Sequence, residues 1–258
     1  MLRWTGNFLL SFFITLVVLL PLAGFFVLWG SWQNPPQQVW EEDSQVVIPP
    51  GAQEERSLLL VWAGDEPCFL LVRLDGPGTA ITAAVIPGQT VVSTPAGSQT
   101  LRECYRTAGP ARTAALLGQT ADKEPPLYLA AGPDSWETLS GGFALSQGKG
   151  RDPLTLTRGL EQALETGGEE GVKQEQTLWE GWLEQGDLTG FIPALRQESS
   201  TLLTSLTALD LEVLEGLLEH LEGQQTTLSF QELSGTWEGE DRFALEPKGA
   251  VTVQELLG

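Results

Sequence analysis

From Phe8 to Trp29 the chain reads FLLSFFITLVVLLPLAGFFVLW, without a charged side chain. At the 1.5 Å rise of a helix, about 22 residues reach roughly 33 Å, enough for the ~30 Å hydrocarbon core of a bilayer. Pro21 and Gly24 are tolerated in such a helix, where neighbouring groups cover the freed carbonyl. Trp4 before the run, and Trp29 and Trp32 after it, suit the interface. A cleaved signal would have a shorter apolar region, roughly 7–15 residues, ending in a small-x-small site. The stretch from Phe25 to Trp32 is bulky instead, so an uncleaved anchor is expected.

Charge sets the expected orientation. Arg3 is the only charge ahead of the run, and all thirty-four acidic residues lie beyond it. An Arg-bearing tip stays cytoplasmic under the positive-inside tendency, which places the C-terminal body on the extracytoplasmic side of the cell membrane. The net charge of −20 disfavours nucleic acid, whose recognition rests on Lys and Arg neutralising phosphates. A single histidine, His220, and two cysteines, Cys68 and Cys104, exclude His-rich zinc sites and four-cysteine fingers. His220 falls near the end of a helical stretch and reads as a surface residue. The two cysteines either pair, as an exported domain permits, or lie as buried thiols, and the residues leave both open.

Three segments follow: 1–29 as tip and anchor, 30–56 as a stalk holding Pro35-Pro36 and Pro49-Pro50, and 57–258 as the folded domain. Leu58–Trp62 is a continuous apolar run, as expected of a strand buried on both faces. Phe69–Leu74 and Thr79–Ile86 are strand-like and joined by Asp75-Gly76-Pro77-Gly78, a hairpin turn. Leu101–Thr107 and Ala111–Leu117 have helical spacing around a break at Gly109-Pro110, with Gly118 as a stop. Leu127–Ala131 is a short strand, and Asp134 an N-cap for the turn holding Trp136 and Leu139. Helical spacing returns in Pro153–Leu164, Glu175–Leu183 and Ile192–Leu206. Asp210 caps Leu211–Leu221, and Thr226–Phe230 is again a strand. Interleaved strands and helices predict an α/β domain with a central buried sheet between helical layers. Gln147–Arg151 lacks P-loop spacing and reads as a loop, as does Glu169-Glu170 beside Gly167-Gly168.

The order of these elements resembles the LytR-CpsA-Psr family. Leu58-Leu59-Leu60 followed by Gly64-Asp65 is similar to its opening strand and turn. Val85-Ile86-Pro87-Gly88-Gln89-Thr90 falls on a motif that normally reads Ser-Ile-Pro-Arg-Asp-Thr. Leu101–Tyr105, Gly109-Pro110 and Leu116-Leu117-Gly118 resemble the family's Leu-Asn-x-x-Tyr helix leading into Leu-Leu-Gly. The resemblance implies a membrane-anchored extracytoplasmic protein that transfers polyisoprenyl-pyrophosphate-linked glycopolymers onto peptidoglycan, using arginines and Mg²⁺ held by aspartates. Such groups are needed because two phosphates carry dense charge, which guanidinium forks and a hard cation neutralise.

Those residues are largely missing. Gly88-Gln89 replaces the motif's Arg-Asp pair, and Asp65-Glu66-Pro67 stands where the family has Arg-x-Asp. Arg102 takes the place of the helix asparagine, and Gly171–Gln176 offers only Lys173 where paired arginines are usual. No metal, cofactor or catalytic residue is expected. Arg102 and Arg106, one helical turn apart and with Tyr105 between them, are candidates for an anionic headgroup, with Arg112 beyond. Against this, long cationic side chains usually reach solvent or pair with nearby carboxylates. Asp65-Glu66 as an acid/base pair lacks a nucleophile to serve. Trp136, Trp179, Trp182 and Trp237 would either stack on sugar rings or pack in a core. Small residues at Ala80–Ala84 and Ala114-Ala115 leave room for a polyprenyl chain or for close helix–sheet packing. The expected function is a non-catalytic envelope protein binding a lipid-linked carrier, a glycan or an envelope partner. The alternatives are an active transferase and a ligand-free scaffold or sensor.

Overall fold

The computed structural model describes residues 51–94, 97–146 and 152–258. The Phe8–Trp29 run, stalk residues 30–50 and the Gln147–Arg151 loop lie outside the described residues. Strands β1 (Glu55–Ala63), β2 (Pro67–Asp75) and β3 (Ala80–Ile86) are followed by a small hairpin, β4 (Val91–Thr94) and β5 (Gly97–Thr100). Helix α1 (Leu101–Ala121) leads to β6 (Leu127–Ala131), α2 (Pro133–Leu139), and the short pair β7 (Ala144–Leu145) and β8 (Leu154–Thr155). Next come α3 (Leu156–Thr166), α4 (Gly168–Gln185), α5 (Leu188–Glu198), β9 (Leu203–Thr204), α6 (Ala208–Glu222) and β10 (Thr227–Phe230). The chain closes with β11 (Gly235–Trp237), β12 (Phe243–Leu245) and α7 (Pro247–Leu257).

The central sheet has the order β10-β3-β2-β1-β6-β9. Its middle is an antiparallel meander in which Leu60 faces Leu70 and Leu71 faces Ala84. β6 runs parallel to β1 and β10 parallel to β3, each reached through a helical crossover. Because side chains alternate along a strand, the near-continuous apolar runs fill two cores at once. Leu58, Leu60, Trp62, Cys68, Leu70 and Val72 face the core beneath α2–α6. Leu59, Val61, Phe69 and Leu71 face the core beneath α1 and α7. The predicted layering is therefore present, and the sheet begins at Glu55, two residues before the expected boundary.

Several local expectations are corrected. Gly118 does not stop α1; a Cβ there would stand 2.8 Å from Lys123 O and 2.9 Å from Pro125 N, so the glycine permits a close return of chain. The helix ends instead at Asp122, in the left-handed region at φ 53°. Asp134 lies in the first turn of α2 behind Pro133, and Gly132 is the N-cap. Asp210 is the third residue of a capping box whose N-cap is Thr207. Glu169-Glu170 are not loop but the first turn of α4, where carboxylates favour the positive end of the helix dipole. The helical spacing of Ile192–Leu206 breaks at Ser199, and Leu203–Thr204 joins the sheet as an edge strand. The Gly109-Pro110 break is present, with Gly109 at φ 75° inside α1.

Candidate functional site

The end of β1, the turn into β2 and the start of α1 meet at one end of the sheet. Gly64 lies directly over the six-membered ring of Trp62, leaving no room for a Cβ. Beside this turn opens a cleft of about 670 Å³, with Trp62, Pro133 and Leu164 as apolar wall. Asp65, Glu66, Glu161 and Glu165 also line it. Glu161 and Glu165 fall one turn apart on α3 and so share a face. An opening lined this way attracts cations and repels phosphate.

Arg102 and Arg106 do converge here, as their spacing predicts, but onto a carboxylate. Arg102 forms an ion pair with Glu66, and Arg106 Nη2 lies 3.7 Å from the same side chain. Arg106 Nη2 also donates to the Asp65 carbonyl at 3.0 Å. Gly88 explains how Arg102 reaches this position. A Cβ at residue 88 would stand 3.3 Å from Arg102 Nε, so the motif glycine leaves the path of the arginine clear. A guanidinium thus crosses the strand-end loop from α1 rather than from residue 88.

The first backbone N–H groups of α1 are already taken. Leu101 donates to Thr90 O and Arg102 to Gly88 O, both at 2.8 Å, and Glu103 donates to the Thr100 hydroxyl at 3.2 Å. An anion would have to displace the chain's own acceptors from this helix terminus. The same two bonds tie the start of α1 to the loop that follows β3. Gln89 offers its carbonyl to the Phe243 N–H at 2.9 Å, and Pro67 begins β2 as a buried residue opposite Ala63. Tyr105 packs with the α1-side core, edge-on to Phe69 at 5.8 Å, and burial pushes its hydroxyl above the usual range. It does not join the arginines.

Two alternatives left open by the residues are decided. Cys68 and Cys104 are free thiols in different cores, on opposite faces of the sheet. Cys104 donates to Gln99 Oε1 at 3.4 Å. Trp136, Trp179 and Trp182 are buried and unavailable to sugar rings. They meet edge-on at 5.2 to 5.8 Å, and Trp136 Nε1 donates to Val61 O at 2.9 Å. Trp237 is partly buried against Phe243. Ala83, Ala84 and Ala114 are buried in ordinary helix–sheet packing. Lys173 pairs with Glu169 at 2.6 Å on the surface, and His220 sits in the last turn of α6.

Glu175 is the residue that sequence reasoning missed. It projects from α4 with Gly171, Leu178, Trp179 and Trp182 into the core, and only 6% of it is exposed. Burial pushes its carboxyl up to about 8; Arg102 and a hydrogen bond from the Cys68 thiol act against that rise, and Glu66 adds to it. Burial likewise drives the Cys68 thiol well above its usual range, with Glu175 reinforcing the shift. A glutamate on the buried stripe of an amphipathic helix was the available signal.

The donor set does not fit Mg²⁺. That ion needs near-octahedral oxygen ligation. Among the described residues no three His, Cys, Asp or Glu side chains gather to hold a metal, and Glu66 is engaged by Arg102 and Arg106.

The mixed sheet between two helical layers defines a LytR-CpsA-Psr-like fold. A transcriptional regulator from Enterococcus faecalis superposes with a TM-score of 0.61 at 15% identity, over 81% of this chain and 89% of that one. TagV from Bacillus subtilis superposes at 0.58 and 12% identity, over 80% and 96%. TagT from the same organism superposes at 0.55 and 16%, over 80% and 90%. TagT has also been solved bound to LIIa-WTA. No family model and no curated protein matches the sequence.

Proposed function

We propose that this chain is a membrane-anchored extracytoplasmic protein of the cell envelope that keeps the LytR-CpsA-Psr-like fold and binds a partner without transferring a glycopolymer. The observation that carries this reading is the engagement of Arg102 and Arg106 by Glu66. A pyrophosphate would have to compete with that carboxylate for both guanidinium groups, and with Asp65, Glu161 and Glu165 for the space beside them. Preorganised positive charge is what stabilises a phosphoryl-transfer transition state, and here it is already neutralised. The indoles of Trp136, Trp179 and Trp182 add support, since they fill the layer between the sheet and α2–α6 and leave a packed core there. The acidic cleft favours a cationic group of an envelope partner. Among the described residues no helix is long and apolar enough to cross a membrane, and the anchor is assigned to the Phe8–Trp29 run.

Incubation of the full-length chain with a polyisoprenyl-pyrophosphate-linked glycan and Mg²⁺ tests the catalytic part. No turnover is expected, and sustained release of the lipid phosphate would overturn the reading. Thermal unfolding with added polyisoprenyl phosphate tests the binding part. Any ligand specific to the native state raises the midpoint by mass action. No rise is expected here, whereas a concentration-dependent rise would return the lipid carrier as the ligand.

A further inference from the structure

The two edges of the central sheet are finished differently. At one, β9 is only two residues long, and its Thr204 hydroxyl turns back on the chain, donating to Tyr128 O at 2.7 Å and accepting from the Leu206 N–H at 3.0 Å. Very short edge strands are one way in which sheets avoid further pairing. At the other edge, β10 pairs with β3 alone. Thr227 donates to Thr79 O at 3.0 Å and Gln231 to Ala83 O at 2.8 Å, so along this parallel ladder residues 227, 229 and 231 turn their backbone toward β3. Leu228 and Phe230 therefore turn theirs outward, and among the described residues nothing bonds to those N–H and C=O groups. The edge also lacks the usual protection. From Gly223 to Gln231 there is neither a charge nor a proline, in a chain of net charge −20. Leu228 and Phe230 are half-buried against the α4-side core, and Thr227 and Ser229 are exposed on the opposite face.

We propose that β10 is a self-association edge, across which a second copy of this chain extends the sheet by antiparallel pairing about a two-fold axis. The register follows from the outward groups. The antiparallel alignment centred on Ser229 engages all of them, because Leu228 of each copy then exchanges two N–H···O=C bonds with Phe230 of the other. Leucine and phenylalanine meet side by side on the α4 face, which continues the half-buried apolar row across the boundary. On the opposite face Ser229 stands against Ser229 of the second copy, as the close pair between two bonded ones. A two-fold contact sets like residue against like at its axis, so a charge there would oppose itself. Here the axis residue is an uncharged serine, and Glu232 falls opposite Thr226 rather than another acid. That neutral run lets two strongly acidic chains approach edge to edge. It favours a second copy over a basic partner strand, which would find no carboxylate along β10. The pairing goes beyond the reading of the acidic cleft and does not depend on it.

Full-length chain purified in detergent tests this, with light scattering for the protein mass and mild oxidation for the contact. The wild type should reach the mass of two chains as its concentration rises. Ser229→Lys should hold it at the mass of one, since two lysines then meet at the axis, and so should Ser229→Glu. Mixing the two variants should restore the pair. Ser229 is exposed, so both variants should fold. Ser229→Cys should cross-link to its own copy on oxidation, since the two Cα atoms stand roughly 4.5 Å apart in this register. Thr227→Cys should not, because the two copies of residue 227 lie about 14 Å apart along the strands. Cys68 and Cys104 are buried and give no background. A chain that stays single at every concentration and leaves Ser229→Cys unlinked overturns the proposal and leaves the edge to a strand of another protein. Equal cross-linking of Thr227→Cys and Ser229→Cys overturns it too, as does a failure of the mixed variants to pair. None of these readouts involves lipid, Mg²⁺ or turnover, so they remain separate from the test of catalysis.

Discussion

On one face of the sheet, α2–α6 bury three indoles, Phe191 and a row of leucines, with a single buried carboxyl, that of Glu175, among the described residues. On the other, α1 and α7 bury Leu59, Phe69, Leu71, Leu116 and Leu256 with small residues such as Ala84 and Ala114, and no acid among the described residues. Both faces are supplied by the same four strands, β1, β2, β3 and β6, alternating residue by residue. The α1 side is close-packed helix on sheet. The α4 side is a broader layer filled by tryptophan, and among the described residues it alone carries a buried carboxyl. That layer opens toward the acidic cleft through Trp62, which belongs to both. Filling and charge on this side together argue against a lipid pyrophosphate. The α1 side, by contrast, serves to hold Arg102 and Arg106 in place.

The comparison is broken most forcefully by removing an indole. Trp136 meets Trp179, Trp182 and Phe191 and donates to the Val61 carbonyl from full burial. Trp136→Ala should cost about 3–5 kcal/mol, measured by urea unfolding, through lost contacts, cavity and an orphaned carbonyl. Leu116→Ala, on the α1 side, should cost about 2–4 kcal/mol from the transfer and cavity terms alone. A smaller loss for Trp136→Ala than for Leu116→Ala would mean that the indole layer is loosely filled, and a lipid tail could enter it.

The second difference between the faces is electrostatic. Glu175 binds its proton more tightly folded than unfolded, so over the range from about 4.5 to about 8 the native state holds the extra proton. Stability contributed by this group is fully present below about 4.5, declines as pH rises, and levels off above about 8. Glu175→Gln should flatten that decline, by on the order of a few kcal/mol at its alkaline end. The lowered carboxyls of Asp187, held by the Gly190 N–H, and Asp210, held by the Thr207 side chain, act oppositely. Their stabilisation is present above their unfolded values and is lost as pH falls through the folded ones. Denaturation profiles at stepped pH should therefore show loss at both ends in the wild type and loss at the acid end in Glu175→Gln.

The thiols sharpen the contrast more gently. Cys68 donates to Glu175, and that bond helps hold the carboxylate. Cys68→Ala should move the Glu175 titration further upward, whereas Cys104→Ala, on the opposite face, should leave it in place. Equal shifts from both variants would contradict the separation of the two cores. Neither thiol should react with an alkylating reagent until the protein unfolds, since both are buried.

Much of this architecture was readable in the chain. Leu58–Trp62 declared a two-faced buried strand, Asp75-Gly76-Pro77-Gly78 a hairpin, and Gly109-Pro110 a break, because each rests on local sterics or on the number of apolar neighbours in a row. Helix ends were less legible. Thr207 and Asp210 cap reciprocally, and either alone makes a plausible N-cap. Gly118 looked like a stop because nothing local reveals that Lys123 and Pro125 come back against it. Arg102 and Arg106 were found by helical spacing, but their partner Glu66 comes from the distant β1–β2 turn, and no spacing predicts that. The pairing of cysteines was undecidable for the same reason. Residues 68 and 104 face opposite ways only once the register of β2 against α1 is set. Glu175 was the one missed residue with a local signal, a charge in phase with Leu178 and Trp182.

The smallest expected effect lies at the start of α1, where the two faces are joined. Thr100 accepts from the Glu103 N–H at 3.2 Å, and the Glu103 carboxylate accepts from the Thr100 N–H at 2.8 Å. Thr100→Ala removes the first bond and keeps the second, because a backbone N–H remains at residue 100. The loss should be about 1 kcal/mol, and Thr100→Ser should restore most of it. The Leu101 and Arg102 N–H groups are bonded elsewhere, to Thr90 and Gly88, so the helix start itself should hold. If so, the helical circular dichroism signal of Thr100→Ala stays at the wild-type level despite the lower stability. A loss of helical signal would instead show that the Thr100 cap, and not the bonds to Thr90 and Gly88, holds the start of α1.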